Sequence, residues 1–336
     1  MIAFLYLFTL YYSLSYKLLW RYRVNKLNNL SKLIGNTPLI GITYRYNNYI
    51  RKSYFKCEWY NLTGSIKDRV AYSIIKSSYD NGTLSPNQTI AETTSGNMGI
   101  SFCAIGRYLG HRVAIFMPES MSRERKEIIK LYGGELYECD TFEECFLESK
   151  RYAILHSAFL GNQFENIYKI QAHYSTTAIE VLEKIPHPKC FVAGVGTSGT
   201  LMGVGKKFKE VCNSKIIAIE PKSSLILSSG ASQGSHKLQG LSDDIIPGIY
   251  DKNIVDDIIS VSDNDAIAMA QKLSNVLGLG VGISSGANFI GSVLSNIDDT
   301  ISVFTDDNKK YLSTDLITPT KSDLVDSIDL IQYEVI

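Results

Sequence analysis

A lysine stands where a helix is predicted to begin, in the run N-L-T-G-S-I-K-D-R at residues 61–69. Cations are disfavoured at the N-terminus of a helix, so this position favours the neutral amine of Lys67. A neutral lysine amine can form a Schiff base with an aldehyde and can later act as a general base. Taken alone, the run also fits an ordinary surface lysine, so the neighbouring motifs must decide between the two interpretations.

Three loops of small residues could each hold an anion. The run G-V-G-T-S-G at residues 194–199 follows a predicted strand and opens a predicted helix. Glycines there allow close backbone approach, and the N–H groups at the start of the helix face an anion. The runs T-T-S-G-N-M-G at 93–99 and G-I-S-S-G-A at 282–287 are similar, and the first could clamp a carboxylate. Each loop alone also fits an N-cap or a simple turn, but three of them beside a helix-opening lysine favour an active site.

The 194–199 run also matches the dinucleotide-binding pattern G-x-G-x-x-G, and Glu220 ends the next predicted strand at about the distance of a ribose-binding acid. A dinucleotide-binding unit usually opens its domain, whereas this motif lies in mid-chain behind a complete β/α series. We therefore predict a phosphate site at this loop and keep NAD as an alternative ligand.

Short β-branched runs alternate with helical segments after residue 30, which is typical of parallel sheets covered by helices. We expect an α/β domain at 31–170, a second at 171–316 and a ligand cleft between them, with an N-terminal extension at 1–30 and a tail at 317–336. The main predicted elements are strands at 88–93, 113–117, 191–193, 216–220 and 301–305, helices at 100–109, 122–132, 200–211 and 263–277, and a loop at 278–287.

Charge and cysteine content exclude several classes of protein. The 34 Lys and Arg residues balance 34 Asp and Glu residues, so no electrostatic field favours nucleic acid or an anionic membrane surface. The six cysteines contain no C-x-x-C pair and the five histidines no H-E-x-x-H pattern, so we predict neither a metal site nor a disulfide framework. Cys103 and Cys190 are expected to be buried small hydrophobes in a protein of the reducing cytoplasm.

The N-terminus carries an uncharged aliphatic and aromatic run at residues 2–16, followed by four basic residues between 17 and 26. This run is shorter than the roughly 20 residues of a membrane span, and it lacks the basic start and cleavage site of a signal peptide. We expect a helix packed on the protein body or on a second subunit, and we keep a membrane tether as the alternative, in which the basic residues would hold the rest of the chain in the cytoplasm.

From about residue 33 to residue 316 the chain resembles the cysteine synthase and cystathionine β-synthase family, the fold-type-II pyridoxal-phosphate (PLP) enzymes. The resemblance implies a tryptophan synthase β-like α/β fold with two open twisted sheets flanked by helices and an active site in the cleft between domains. It also implies a homodimer and a serine acetyltransferase-type partner. The matching runs are I-G-N-T-P-L at 34–39, S-I-K-D-R at 65–69, T-S-G-N at 94–97, G-V-G-T-S-G-T at 194–200, G-I-S-S-G-A at 282–287 and K-Y-L-S-T at 310–314.

The resemblance implies a role for each matching residue. Lys67 would form the Schiff base with the cofactor, be displaced by the substrate amine and remove the α-proton. Asn97 would bind the ring hydroxyl, and Ser284 would meet the pyridine nitrogen. Because a hydroxyl there moderates the electron sink, elimination to an aminoacrylate is favoured, and sulfide or a thiol then adds to the β-carbon. The phosphate would be held by Gly196, Thr197, Ser198, Gly199 and Thr200, and the substrate carboxylate by Thr94, Ser95, Gly96 and Gln163.

The chain also departs from the family pattern. Leu62 replaces a proline, Met98 a threonine and Ser198 a glycine, and the run Q-G-L-S-D-D at 239–244 replaces a loop of glycine and alanine. Asp243 would place a carboxylate near the aminoacrylate, where it could activate water or orient an amine. Two reactions therefore stay open: cysteine synthesis from O-acetylserine and sulfide, and sulfide release from cysteine or exchange of its thiol as in cystathionine β-synthase.

Two other classes of function are weighed against the PLP enzyme. One is an NAD oxidoreductase, which rests on the 194–199 run alone. The other is a non-catalytic family member that acts as a regulatory binding partner, because this fold can receive a partner's C-terminal peptide in its cleft. Retention of Lys67, Asn97 and Ser284 argues against a non-catalytic role.

Overall fold

The computed structural model describes residues 24–232, 234–242 and 246–336. The apolar run at 2–16 and Asp243, both singled out in the sequence, lie outside these residues. Within the described ranges, no helix combines the length and the apolar character needed to cross a membrane.

The smaller of the two main sheets has four parallel strands in the order β5-β4-β3-β6. Its two central strands are buried along their whole length, as expected for parallel strands covered by helices on both faces. The strands are β3 (Ile90–Thr93), β4 (Val113–Pro118), β5 (Glu135–Cys139) and β6 (Phe159–Leu160). The helices of this part of the chain are α1 (24–30), α2 (Lys67–Asp80), α3 (Asn97–Leu109), α4 (Arg123–Leu131) and α5 (Phe142–His156).

The larger sheet has seven strands in the order β11-β8-β7-β12-β2-β1-β13. Five strands from β11 to β2 run parallel, and β1 and β13 continue the sheet in antiparallel pairing. The sheet therefore combines strands from both ends of the chain. The strands are β1 (Leu39–Tyr46), β2 (Tyr49–Cys57), β7 (Cys190–Gly194), β8 (Lys215–Pro221), β11 (Asp257–Val261), β12 (Thr300–Phe304) and β13 (Asp329–Val335).

Helices cover both faces of the larger sheet. Residues of α10 and α11 form an apolar core with one face, and residues of α8 form another with the opposite face. A short antiparallel pair joins β9 (Ser224–Leu225) to β10 (Ala231–Ser232). The helices are α6 (Tyr168–Ala172), which continues through a π turn (His173–Thr177) into α7 (Ala178–Leu182), then α8 (Gly199–Cys212), α9 (Ile226–Ser229), α10 (Asp263–Leu277), α11 (Ile283–Leu294) and α12 (Asp323–Asp326), with short 3-10 turns at Glu58–Tyr60, Asn308–Tyr311 and Asp315–Ile317.

The structure confirms most of the predicted elements and corrects two. Helix α10 spans Asp263–Leu277 as predicted, because the Ser262 hydroxyl caps its first turn and Gly278 ends it at φ 69°. The loop predicted at 278–287 is wrong in its second half, since α11 already begins at Ile283. Helix α3 likewise begins at Asn97 and not at residue 100. In both cases the small residues open a helix instead of preceding it. Cys103 and Cys190 are fully buried, as expected.

A buried charge network fixes the start of α2. Arg69 Nε donates to Glu58 Oε2 at 2.7 Å, and Arg69 Nη1 donates to Glu180 Oε1 at 2.6 Å. Burial alone would raise the pKa of Glu180, but hydrogen bonds from Arg69 and its positive charge lower that pKa to about 2. Lys56 Nζ lies 2.7 Å from Glu180 Oε2. Arg69 lies two residues after Lys67 in α2, and the network therefore links the start of this helix to β2 and to α7.

Replacing Arg69 with methionine is expected to lower the free energy of unfolding by about 3–5 kcal/mol, because the fully buried Glu58 carboxylate loses its cation and the partly buried Glu180 keeps only Lys56. Urea unfolding followed by circular dichroism measures this change. Arg112→Met is the control, since Arg112 pairs with Glu135 on the surface and its loss should leave the unfolding midpoint in place. Equal midpoints for Arg69→Met and the wild type would contradict the assigned role of the network.

Candidate active site

Lys67 is the first residue of α2, as the sequence predicts. Ile66 N donates to Thr305 O at 2.9 Å, which attaches the start of this helix to the end of β12. Lys67 Nζ lies 3.5 Å from Thr197 Oγ1, in the loop between β7 and α8. The structure thus brings together a lysine and a glycine-rich loop that are 130 residues apart in the chain.

Residues 194–199 form the glycine loop, which connects β7 to α8. Gly194 N donates to Asn288 Oδ1 at 2.8 Å. At Gly196 an added Cβ would lie 2.1 Å from the carbonyl oxygen of Gly240, so only glycine fits this position. Ser198 adopts φ 70°, and its Oγ is buried without a hydrogen-bond partner. The loop therefore presents backbone N–H groups and one unused hydroxyl at a helix N-terminus.

Residues 94–97 form the serine loop, which connects β3 to α3. Gly96 N donates to Thr94 Oγ1 at 3.0 Å, and Gly96 takes φ 142°, a conformation open to glycine. Ser95 is partly exposed. Asn97 Nδ2 donates to Asp306 Oδ2 at 2.8 Å, whereas Asn97 Oδ1 is buried and has no partner. In Asn97, therefore, Nδ2 is hydrogen-bonded within the protein, and Oδ1 could accept a hydrogen bond from a ligand.

Gln163 lies behind the serine loop and is 3% exposed. Its Nε2 donates to the backbone oxygen of Thr93 at 2.8 Å. The side chain thus supports the end of β3, from which the serine loop starts.

A cavity that is partly open to solvent lies between Lys67, Asn97, Ser284 and the glycine loop. Its walls include neither Gln163 nor the first three residues of the serine loop. The cavity-lining residues are Ile66, Lys67, Asn97, Gly194, Gly196, Thr197, Ser198, Gly199, Thr200, Gln239, Gly240, Leu241, Ser284, Asn288, Val303 and Thr305. The cofactor residues predicted from the sequence thus surround one cavity. Asp243, which the sequence also singled out, belongs to a segment outside the described residues.

Ser284 lies in the first turn of α11 and is 5% exposed. Its hydroxyl is 2.6 Å from Thr305 Oγ1, and either oxygen can donate. The wall of the cavity here carries neutral hydroxyl groups.

Asp306 is a site residue that the sequence reasoning missed. It is fully buried, and its Oδ2 accepts hydrogen bonds from Asn97 Nδ2 and from the hydroxyl of Tyr311, the latter at 2.9 Å. Arg125 Nη2 lies 3.7 Å from the same oxygen. Asp306 orients the Asn97 amide, although 209 residues separate them. No local sequence signal could have paired these residues.

Three buried ionisable residues near the site were also missed. Burial raises the pKa of Glu92 in β3 to about 8. Burial, followed by the nearby charge of Lys67, lowers the pKa of Lys169 to about 7. Burial, followed by the charge of Arg69, lowers the pKa of His173 to about 3, so His173 is neutral where its Nε2 meets Thr200 Oγ1 at 3.3 Å. Glu92, Lys169 and His173 belong to no recognisable sequence motif, so the sequence alone could not assign them to the site.

Glu220 does not provide the acid of a dinucleotide site. It is 1% exposed, and its carboxylate accepts hydrogen bonds from the backbone N–H groups of Leu227 and Ser228. The carboxylate therefore caps α9 and does not face open space. This finding removes the acidic residue that would have bound the ribose of a dinucleotide.

Comparison with known proteins agrees with this geometry. The family model described as "Pyridoxal-phosphate dependent enzyme" matches residues 30–304. Cysteine synthase B of Campylobacter jejuni is 40% identical over 297 residues, which are 85% of this chain and 97% of the relative. A cysteine synthase of Staphylococcus aureus is 36% identical over 300 residues, 86% of this chain and 96% of the relative. The crystal structure of a hydrogen sulfide-producing enzyme from Fusobacterium nucleatum has a TM-score of 0.89 at 40% identity, covering 93% of this chain and 99% of that one.

Proposed function

Because this chain belongs to the family of pyridoxal-phosphate-dependent enzymes, we propose that it is a cysteine synthase, which replaces the acetate of O-acetylserine with sulfide. One observation carries the proposal. The Lys67 amine faces Thr197 of the glycine loop at 3.5 Å, inside a cavity that Asn97 and Ser284 also line. The match with this chain covers almost the whole length of both relatives that are named cysteine synthase.

Three features of the cavity fit PLP. Gly196 lines the cavity as part of the glycine loop, and no larger residue fits there because an added Cβ would meet the carbonyl oxygen of Gly240. The buried Ser198 Oγ and Asn97 Oδ1 have no hydrogen-bond partner. Such unpaired buried atoms cost free energy, and a ligand with polar groups at both ends would satisfy them.

The residues that would hold the cofactor lie on three elements. Backbone N–H groups of residues 196–200 at the start of α8 suit the phosphate. Asn97, oriented by Asp306, suits the ring hydroxyl, and the Ser284 hydroxyl suits the ring nitrogen. When bound, PLP supplies an electron sink for negative charge at the α-carbon of the substrate.

Lys67 would attach the cofactor and then move the proton at the α-carbon. Its place at the helix N-terminus favours the neutral amine that both steps need. Ser284 and Thr305, whose hydroxyls lie 2.6 Å apart, would present neutral hydroxyls to the ring nitrogen, which would favour loss of the β-substituent over other outcomes.

We propose that Thr94, Ser95 and Gly96 bind the substrate carboxylate through the backbone of the serine loop. Gln163 would contribute by holding Thr93 in place, at the base of that loop. The serine loop and Lys67 belong to the proposed domain 31–170, and the glycine loop and Ser284 belong to the proposed domain 171–316, so substrate would bind between the two.

Replacing Ser198 with glycine is expected to act in opposite directions on the apoenzyme and on cofactor binding. Glycine removes the strain of φ 70° and an unsatisfied buried hydroxyl, so the apoenzyme gains about 1 kcal/mol of unfolding free energy. Loss of the same hydroxyl weakens PLP binding by about threefold to tenfold. Urea unfolding of the apoenzyme and equilibrium dialysis with PLP measure the two effects. A less stable variant with unchanged PLP affinity would contradict both assignments.

The proposed reaction is tested by offering the purified enzyme O-acetylserine, O-phosphoserine, serine and cysteine, each with and without sulfide. We expect cysteine to form fastest from O-acetylserine and sulfide. Borohydride treatment of the resting enzyme should leave a reduced PLP adduct on the peptide that contains Lys67, as detected by mass spectrometry. A colourless protein without that adduct would refute the proposal.

A second candidate is release of hydrogen sulfide from cysteine, or exchange of its thiol as in cystathionine β-synthase. It is supported by the similarity to the hydrogen sulfide-producing enzyme and by the acidic run at 239–244, whose first residues line the cavity. Asp243→Asn should then lower sulfide release from cysteine by about tenfold or more, and the neighbouring Asp244→Asn should not. Unaltered release in the Asp243 variant would remove this residue from the mechanism.

We further propose a cytoplasmic homodimer that binds a serine acetyltransferase-type partner. The support is the family membership of the chain. Light scattering of the purified enzyme would show the dimer mass, and a partner's C-terminal peptide should compete with O-acetylserine.

Removal of residues 1–23 tests whether the N-terminal run attaches the protein to membranes, because only then would the truncated protein leave the membrane fraction.

A further inference from the structure

Arg125 is a buried arginine that lies behind the serine loop. It belongs to α4 and is 2% exposed. An added Cβ at Gly96 would clash with Arg125 Cδ and would lie 2.9 Å from Arg125 Nε, so the side chain runs directly along the turn of the loop. The Ser122 hydroxyl donates to the backbone oxygen of Lys310 at 2.7 Å, which attaches the start of α4 to the neighbouring 3-10 turn. The guanidinium is therefore held against the loop that is proposed to bind the substrate carboxylate.

The guanidinium of Arg125 is only partly paired. Its Nη2 lies 3.7 Å from Asp306 Oδ2, which is too long for a hydrogen bond, and its central carbon lies 4.4 Å from the centre of the Tyr311 ring. Within the ranges that the structure describes, Arg125 Nε and Nη1 are buried and have no hydrogen-bond partner. Unpaired buried donors of a charged group cost free energy. An arginine that served only to neutralise Asp306 would be expected to contact that carboxylate directly.

The position of the guanidinium divides its charge between two neighbours. Nε, which is one of the two unpaired nitrogens, is the nitrogen beside Gly96, whereas Nη2 is the nitrogen nearest to Asp306. Because Arg125 is buried, water and salt screen its charge weakly, and an anion bound at the serine loop would be attracted. The negative charge of Asp306 offsets part of this attraction, so the expected effect is moderate.

We propose that Arg125 is a positioning residue whose positive charge, held behind Gly96, makes the serine loop select a free carboxylate over a neutral group. The inference rests on the proposed function, in which Thr94, Ser95 and Gly96 bind the carboxylate of the substrate. Backbone N–H groups alone can bind a neutral carbonyl oxygen as well as a carboxylate oxygen, and a buried cation behind them favours the charged ligand. The substrate class is therefore free amino acids, and amino-acid amides are excluded.

The test compares two ligands that differ only in this charge. L-Serine carries a carboxylate, and L-serinamide carries a neutral amide in the same place. The full-length enzyme loaded with PLP is titrated with each ligand, and the change in PLP absorbance gives the two dissociation constants. Replacing Arg125 with methionine should lower the preference for serine over serinamide by about tenfold. A residue that only packs against the loop would weaken both ligands alike, and an unchanged preference would overturn the proposal.

Three further variants separate charge from packing. Arg125→Lys keeps a positive charge and should retain most of the preference, whereas an equal loss in the Lys and Met variants would overturn the proposal. Arg125→Gln is a second neutral variant that should lose the preference, and its measurement decides if Arg125→Met does not fold. Arg123→Met is the matched control, because Arg123 is an exposed arginine at the start of the same helix and its charge is screened by water.

Failure of this inference is distinguishable from failure of the proposed function. A wild-type enzyme without a borohydride adduct at Lys67 would refute the proposed function. An intact adduct, together with an unchanged ligand preference in both neutral variants of Arg125, would refute this inference alone.

Discussion

Replacing Lys67 with alanine is expected to lower the rate of cysteine formation by about 10³-fold or more, because in the proposed reaction the same amine attaches the cofactor and transfers the α-proton. The variant should still bind PLP through the glycine loop, without a covalent bond. Steady-state assays with O-acetylserine and sulfide measure the rate, and borohydride reduction followed by mass spectrometry should find no adduct. Methylamine added to the variant supplies a neutral amine and should restore part of the activity.

The control for this prediction is Lys76→Ala. Lys76 lies on the exposed side of the same helix, in an i,i+4 pair with Asp80. Its loss should leave the rate unchanged, which separates the chemistry of Lys67 from any effect of altering α2. Retention of a tenth of the wild-type rate by Lys67→Ala would show that another group performs the proton transfer.

Replacing Gly196 with alanine is expected to weaken PLP binding by about 10- to 100-fold, equivalent to roughly 1–3 kcal/mol. The added Cβ would lie 2.1 Å from the carbonyl oxygen of Gly240. The backbone at Gly196 and the backbone at Gly240 would have to move apart, and this movement would displace the glycine loop. Equilibrium dialysis of the apoenzyme against PLP measures the loss.

Gly248→Ala is the matched control for this change, because no heavy atom lies within 4 Å of the Cβ it would add. It should bind PLP as tightly as the wild type. If Gly196→Ala also binds PLP normally, the close contact with Gly240 has no part in shaping the site. Comparison of unfolding curves for both variants shows whether the alanine at 196 acts on the site or on the whole fold.

The local parts of this site could be predicted from the sequence. Lys67 at a helix start and the glycine loop are set by residues that are neighbours in the chain, because caps, turns and positive-φ positions depend on local sterics. The order of the motifs along the chain then indicated the family, and with it Asn97, Ser284 and the PLP cofactor. The α/β architecture followed in the same way from the alternation of short apolar strands and longer helices.

Contacts between distant segments were decided only by the tertiary structure. Asp306 holds Asn97 across 209 residues, Gly240 closes over Gly196, and Arg125 lies between Gly96 and Asp306. Which strands become neighbours depends on how the whole chain buries its apolar faces, and a sheet that combines β1 and β13 is not encoded in any short run. Burial also decides the charge of Glu92, Lys169 and His173, because the cost of desolvation depends on what the folded chain packs around each group.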